Sequence, residues 1–275
     1  MDVLIQDLVM GIVQGLTEFL PVSSSGHLIL VPYLFGWHDP FIDSHVFSVM
    51  LHLGTHVALL VYFWRDWARL IPAGLAMLRD RSTRGDPERR LALLLLVATI
   101  PAAIVGALFN DPIEKNVREP ALVALMLVVG GAILWLAERW GSQRRSMDAL
   151  GVRGAFGIGV AQAIALIPGI SRSGISISGG LFAGLDRESA ARFSFLMAAP
   201  VIAGAGLFEI RKVVAGEEAV TVQPEALVIG LVAALVAGML AIHGLLRFLR
   251  SNPTHIFVAY RVLLAAVVVI VLLSR

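Results

Sequence analysis

Six runs of this chain, approximately 46–64, 91–109, 120–137, 192–209, 225–246 and 254–273, are apolar enough to cross a bilayer and long enough or nearly so. The hydrocarbon core is about 30 Å thick, and a helix needs about 20 residues to traverse it. One soluble core cannot hide that many such runs in 275 residues, so lipid must solvate most of the surface. Only 15% of the residues are charged, against about 25% in an ordinary soluble domain. The net charge of +2 is small and the arginines cluster between apolar runs, a topology signal that speaks against nucleic-acid binding. There is no cysteine, which excludes disulfides, thiolate metal sites and a cysteine nucleophile. Asp2 and Asp7 stand in a first decade without Lys or Arg, so this apolar start lacks the basic region of a signal peptide and is expected to belong to the fold.

Two further apolar regions, 1–36 and 154–185, are each broken by a Pro/Ser/Gly cluster: Pro21-Val22-Ser23-Ser24-Ser25-Gly26 and Pro168-Gly169-Ile170-Ser171-Arg172-Ser173-Gly174. Neither half of either region is long enough to span. Non-helical backbone at membrane depth persists only where protein or a water-filled cavity satisfies its polar groups. Both regions therefore read as re-entrant helix pairs with tips inside the protein, the alternative being two more kinked spans each. The expected fold is an all-α polytopic membrane protein, one integral domain over 1–275, with six transmembrane helices and two re-entrant hairpins.

Arginine placement orients it, because cytoplasmic loops carry the excess of Lys and Arg. Segments 65–90, 138–153, 186–192 and 247–250 hold 15 of the 22 basic residues, seven of them arginines in 65–90. This puts those segments inside, both termini outside, and the two hairpins entering from opposite sides. A shift of 148 residues lays Gln14 on Gln162 and Ser23-Ser24-Ser25-Gly26 on Ser171-Arg172-Ser173-Gly174, and a shift of 146 lays Phe47-Ser48 on Phe193-Ser194. The halves, approximately 1–137 and 154–273, read as inverted repeats, an architecture that places a polar site between broken helices.

Within that frame the polar residues are few. Gln14 and Glu18 stand four apart on one helix face, and an ionisable group in a membrane segment is a functional-site hypothesis by default. A structural glutamate holding the hairpin is the alternative. Ser24 and His27 share a face after the first break if a helix begins near Ser23. Helix N-termini attract anions through free N–H groups and the dipole. The second break adds Arg172, a planar fork of donors, among Ser171, Ser173 and Ser176. With Ser23 and Ser25 these form the expected anion-binding set, suited to a diphosphate or phosphate ester; an arginine that only pairs Glu18 is the alternative. His52 and His56 have the spacing of a metal pair but no accompanying acid, and read as packing or interfacial. Glu209, Arg211 and Lys212 read as a snorkelling membrane end, and Arg261 after Tyr260 as an interfacial anchor.

The segments Gln14-Gly15-Leu16-Thr17-Glu18-Phe19-Leu20-Pro21-Val22-Ser23-Ser24-Ser25-Gly26-His27 and Pro168-Gly169-Ile170-Ser171-Arg172-Ser173-Gly174 resemble the two signature motifs of the bacitracin-resistance-type undecaprenyl-diphosphate phosphatases. The likeness extends to Ser178-Gly179-Gly180 and Phe193-Ser194-Phe195. Two positions depart from it: Gln14 where many members have Glu, weakening a two-carboxylate metal site, and Ser176 where threonine is usual.

The resemblance implies hydrolysis of undecaprenyl diphosphate to the monophosphate, recycling the lipid carrier of peptidoglycan synthesis. It also implies a bacterial cytoplasmic (inner) membrane location, an active site opening to the periplasmic side, and a divalent cation. Glu18, with Gln14, would hold Mg²⁺ or Ca²⁺, hard cations that prefer oxygen ligands, or Glu18 would position the attacking group. His27 would act as general base or nucleophile and Ser24 is the competing nucleophile, with the imidazole favoured because it needs less activation. Arg172 would stabilise the transferring phosphoryl group. A homodimer stays open. The rivals are a secondary transporter or lipid flippase, an intramembrane serine protease using Ser24 and His27, and a non-catalytic scaffold.

Overall fold

The computed structural model describes residues 3–37, 39, 41–42, 44–83, 85–117, 119–214 and 224–274. Among these, all extended regular structure is helical. The first broken region forms α1 (Val3–Phe19) and α2 (Ser24–Phe35). Then follow α3 (His45–Tyr62), α4 (Trp64–Asp80), α5 (Pro87–Asn116) and α6 (Pro120–Trp140). The second broken region forms α7 (Val152–Ile164) and α8 (Arg172–Phe182), and α9 (Arg187–Val214), α10 (Pro224–Leu249) and α11 (His255–Ser274) complete the chain. Five helices, α5, α6, α9, α10 and α11, are long and apolar enough to cross a membrane. A sixth candidate is the pair α3 and α4, bent by 84° at the break between them.

The helix α4 departs from the sequence reading, which took 65–90 as a loop on its arginine count. It is amphipathic: Leu70 and Met77 are buried, Trp64, Ile71, Leu75 and Leu78 are exposed, and arginines occupy the intervening positions. Such a helix satisfies its own backbone at a membrane surface while its long basic side chains reach water. The arginine-rich segments do gather at one end of the bundle. Arg192 pairs with Asp66 at 2.6 Å, Arg250 with Glu188 at 2.8 Å and Arg187 with Glu138. The side chains of Glu209 and Lys212 lie outside the described residues.

Packing repeats between the halves. α1 lies against α10 and α7 against α5, while α3 meets α9 and α6 meets α11. The two first contacts are close enough to require glycine. A Cβ at Gly11 would sit 2.4 Å from the Gly230 carbonyl oxygen, and one at Gly159, 148 residues on, would sit 2.2 Å from that of Ala98. Small residues let helix backbones approach in lipid, where packing rather than hydrophobicity drives association.

The two breaks also match. Ser23 and Ser171 cap α2 and α8 with φ of 78° and 76°, a left-handed conformation unusual for serine. Each hydroxyl accepts from the backbone N–H three residues on, Gly26 at 3.3 Å and Gly174 at 3.1 Å. Strain of this kind persists where surrounding structure over-determines it, commonly at functional sites.

Arg261 ties the two breaks together. Expected to be an interfacial anchor, it is instead 0% exposed. Its guanidinium donates to the carbonyls of Gly169 (2.7 Å) and Ile170 (2.8 Å) in the second break, of Leu127 (2.9 Å) in α6, and of Pro21 (3.4 Å) in the first break. Irregular backbone at membrane depth needs such partners, and one side chain supplies them to both breaks. Arg261→Met should therefore lower stability by at least about 3 kcal/mol, since each orphaned buried carbonyl costs about 1–3 kcal/mol. Thermal unfolding in detergent measures this; an unchanged midpoint would show that the breaks hold themselves.

Candidate active site

The two tips touch. Ser173 Oγ donates to the Leu20 carbonyl at 2.9 Å, and this junction brings the start of α2 beside the start of α8. At its centre lies Glu18, 6% exposed near the end of α1. Its Oε2 accepts from Gln14 Nε2 at 3.0 Å and from Ser24 Oγ at 2.6 Å. Arg172 Nη1 stands 3.5 Å from Oε1, and His52 Nε2, from α3, stands 3.5 Å from Oε2. A buried carboxylate is tolerable when surrounded by donors and an opposite charge in this way.

A cavity of about 260 Å³ opens beside this cluster. Its polar wall carries Ser24, Ser25, Ser48, His52, Gln162, Ser171 and Arg172. Its other wall is apolar, with Leu28 and Ile29 from α2, Val49 and Leu53 from α3, and Val201 and Ile202 from α9. Four polar atoms at the site lack partners among the described residues: Gln14 Oε1, both side-chain polar atoms of Gln162, and Arg172 Nη1, the last near Glu18 but not hydrogen-bonded to it. The arrangement suits a ligand with a polar, anionic head and an apolar tail.

The sequence-expected residues separate into two groups. Glu18, Gln14, Ser24 and Arg172 converge as expected, with Ser25 and Ser171 on the cavity wall. Ser23 and Ser173 are buried in the junction, Ser23 Oγ lying 3.4 Å from Ser25 Oγ and Ser173 Oγ 3.2 Å from Ser171 Oγ. Ser176 is fully buried and turned away, its hydroxyl on the Arg172 carbonyl at 2.6 Å and against Ser194 Oγ at 2.5 Å.

His27 is not joined to Ser24. A carbonyl can only accept, so Nδ1 donates to Ser23 O at 2.6 Å, and Nε2 is hydrogen-bonded with the Tyr260 hydroxyl at 2.7 Å. Its ring stacks on that of Tyr260. His52, read from the sequence as packing or interfacial, instead faces Glu18. The signal that could have found it is the rule that singled out Glu18, an ionisable group inside an apolar span. His52 Nδ1 is fixed by the Ser48 carbonyl at 2.7 Å, which aims Nε2 at the carboxylate.

Compared with known proteins, residues 7–267 match the family model described as bacitracin resistance protein BacA. The chain belongs to this family. Its curated relatives match along nearly their whole length. A protein of Desulforudis audaxviator named undecaprenyl-diphosphatase is 46% identical over 270 residues, covering 98% of each chain. One of the same name from Thermodesulfovibrio yellowstonii is 38% identical over 275 residues and all of both chains. A third, from Rubrobacter xylanophilus, is 46% identical over 271 residues. The match therefore includes both breaks, the helix bearing His52 and the Tyr260–Arg261 pair.

Proposed function

We propose that this chain hydrolyses undecaprenyl diphosphate to undecaprenyl phosphate and phosphate, recycling the lipid carrier of peptidoglycan synthesis. The observation that carries the reading is the 2.6 Å hydrogen bond from Ser24 to buried Glu18, in a cavity that also presents Arg172 and continues into an apolar wall. The names of the family's members supply the substrate.

In this reading α3, α5, α6, α9, α10 and α11 span the membrane, while α1–α2 and α7–α8 are re-entrant hairpins of an inverted repeat. The matched breaks and the exchange of α1 on α10 for α7 on α5 support it. The arginine face is cytoplasmic by the excess of basic residues. The cavity residues Val201 and Ile202 lie 14 and 15 residues along α9 from Arg187, roughly 20 Å from that face at 1.5 Å per residue. The site accordingly opens to the periplasmic side of the cytoplasmic (inner) membrane.

Ser24 is the nucleophile. Its oxygen bonds to the terminal phosphorus, the bond from that phosphorus to the bridging oxygen breaks, and undecaprenyl phosphate leaves. The serine proton passes to Glu18 Oε2, where His52 Nε2 offers a second acceptor. Water then hydrolyses the phosphoserine, restoring the hydroxyl. Arg172 and the N–H groups at the start of α2 and α8 hold the phosphoryl oxygens, where positioning and charge stabilisation supply most of the catalysis. His27 acts indirectly by fixing the backbone of the first break through Ser23.

Glu18 and the unpartnered Gln14 Oε1 are two hard oxygen donors that fit a divalent cation. Among the described residues no three His, Cys, Asp or Glu side chains group for a metal, so the substrate's oxygens would complete the shell. Mg²⁺ or Ca²⁺ held there would neutralise phosphate charge. Phosphate release from undecaprenyl diphosphate by purified protein tests both points. Turnover should fall at least about tenfold with EDTA and return with added cation, because a one-carboxylate site binds modestly. Full turnover in chelator would refute the cation; no release under any condition would refute the hydrolase.

A further inference from the structure

Gln162 has no role in the mechanism above, yet among the described residues it is the one lining the cavity whose side-chain polar atoms are both without partners. It is 2% exposed on α7, and neither Nε2 nor Oε1 has a hydrogen-bond partner among the described residues. An amide buried without partners at membrane depth is costly, since nothing in hydrocarbon replaces the lost water. The face that carries it is otherwise small or apolar: Ala155, Ile158 and Gly159 are buried with it, Gly159 against the Ala98 carbonyl. Leucine or methionine would fill such a face at no polar cost. The amide lines the same cavity as Ser24 and Arg172.

We infer that Gln162 is a substrate-binding residue of the diphosphate site, donating through Nε2 to a phosphate oxygen opposite Ser24. The inference rests on the hydrolase reading and deepens it. It follows from symmetry of position and asymmetry of use. Gln14, its counterpart 148 residues earlier, spends its amide N–H on Glu18 at 3.0 Å. The position matching Glu18 in the second half is Leu166, so Gln162 has no carboxylate to hold and its donor stays available. Diphosphate oxygens are acceptors only, which matches Nε2 and leaves Oε1 to a water or hydroxyl on the same phosphate.

The test uses three full-length proteins in detergent: wild type, Gln162→Met and Gln162→Glu. Thermal unfolding and kcat/KM for undecaprenyl diphosphate are measured on each, with inhibition by methylene diphosphonate as a binding readout that needs no turnover. Gln162→Met should unfold at the wild-type temperature or above it, because two orphaned polar atoms have gone. Its kcat/KM should fall about 10- to 100-fold, the loss of one hydrogen bond to a charged group, and methylene diphosphonate should inhibit it more weakly. Gln162→Glu keeps the shape but sets a carboxylate against an anion, so it should be the worse of the two. Wild-type kcat/KM in Gln162→Met would overturn the inference, as would a loss matched by a fall in unfolding temperature, which marks a packing role. Gln162→Glu exceeding Gln162→Met would overturn it too, by assigning the amide to a cation. An inactive wild type would refute the hydrolase reading instead.

Discussion

Replacing Ser24 with alanine should abolish phosphate release, a loss on the order of 10⁴-fold or more, as when a covalent nucleophile is removed. The geometry behind this is specific. A serine hydroxyl is a weak nucleophile unless a base takes its proton, and Ser24 Oγ already donates to Glu18 at 2.6 Å. The carboxylate is buried among Gln14, Arg172 and His52, which keeps it ordered and aimed at one hydroxyl. His27 differs, with both ring nitrogens held, by Ser23 O and by Tyr260. His27→Ala should therefore keep a residual rate, reduced by about 10²–10³-fold, comparable to loss of one positioning group. Side-by-side phosphate release by the two variants checks this. A dead His27→Ala beside a partly active Ser24→Ala would reassign the nucleophile to the imidazole.

Arg172→Lys should cost about 10²–10³-fold in kcat/KM although the charge is retained. The guanidinium begins α8, stands 3.5 Å from Glu18 Oε1 and lines the cavity. A planar fork can hold the carboxylate side with one nitrogen while presenting two others to phosphoryl oxygens. An ammonium is a compact point charge on a flexible stem and cannot keep both geometries at once. If the lysine variant hydrolysed undecaprenyl diphosphate at the wild-type rate, Arg172 would be only the counter-charge of Glu18.

Much of this arrangement is legible in the residues alone, and the reasons are physical. Apolar runs of spanning length become helices because lipid offers the backbone no other partner, and the Pro/Ser/Gly clusters interrupt them where the structure does. Glu18 and Arg172 stand out because charge is rare among apolar neighbours. What escaped has equally definite causes. Arg261 ends up on carbonyls from three distant segments, and no local spacing announces such a convergence. Ser24 and His27 share a face by helical period, but the rotamers send Ser24 back to α1 and His27 across to α11. Ser176 sits one turn beyond Arg172, yet its hydroxyl bonds back to the helix carbonyl, the usual habit of serine inside a helix. The amphipathic α4 was masked by its own arginines, whose charge reads as loop while Leu70 and Met77 mark its buried face.

The central claim, cleavage of the lipid diphosphate at the junction of the two breaks, separates most directly from lipid translocation in sealed liposomes. Wild-type protein would be reconstituted, undecaprenyl diphosphate supplied to the leaflet on which the cavity opens, and phosphate and lipid followed together. The account predicts one phosphate released for each undecaprenyl phosphate formed, on the side of addition, with none from Ser24→Ala. Passage of intact undecaprenyl diphosphate to the opposite leaflet without phosphate release would contradict it.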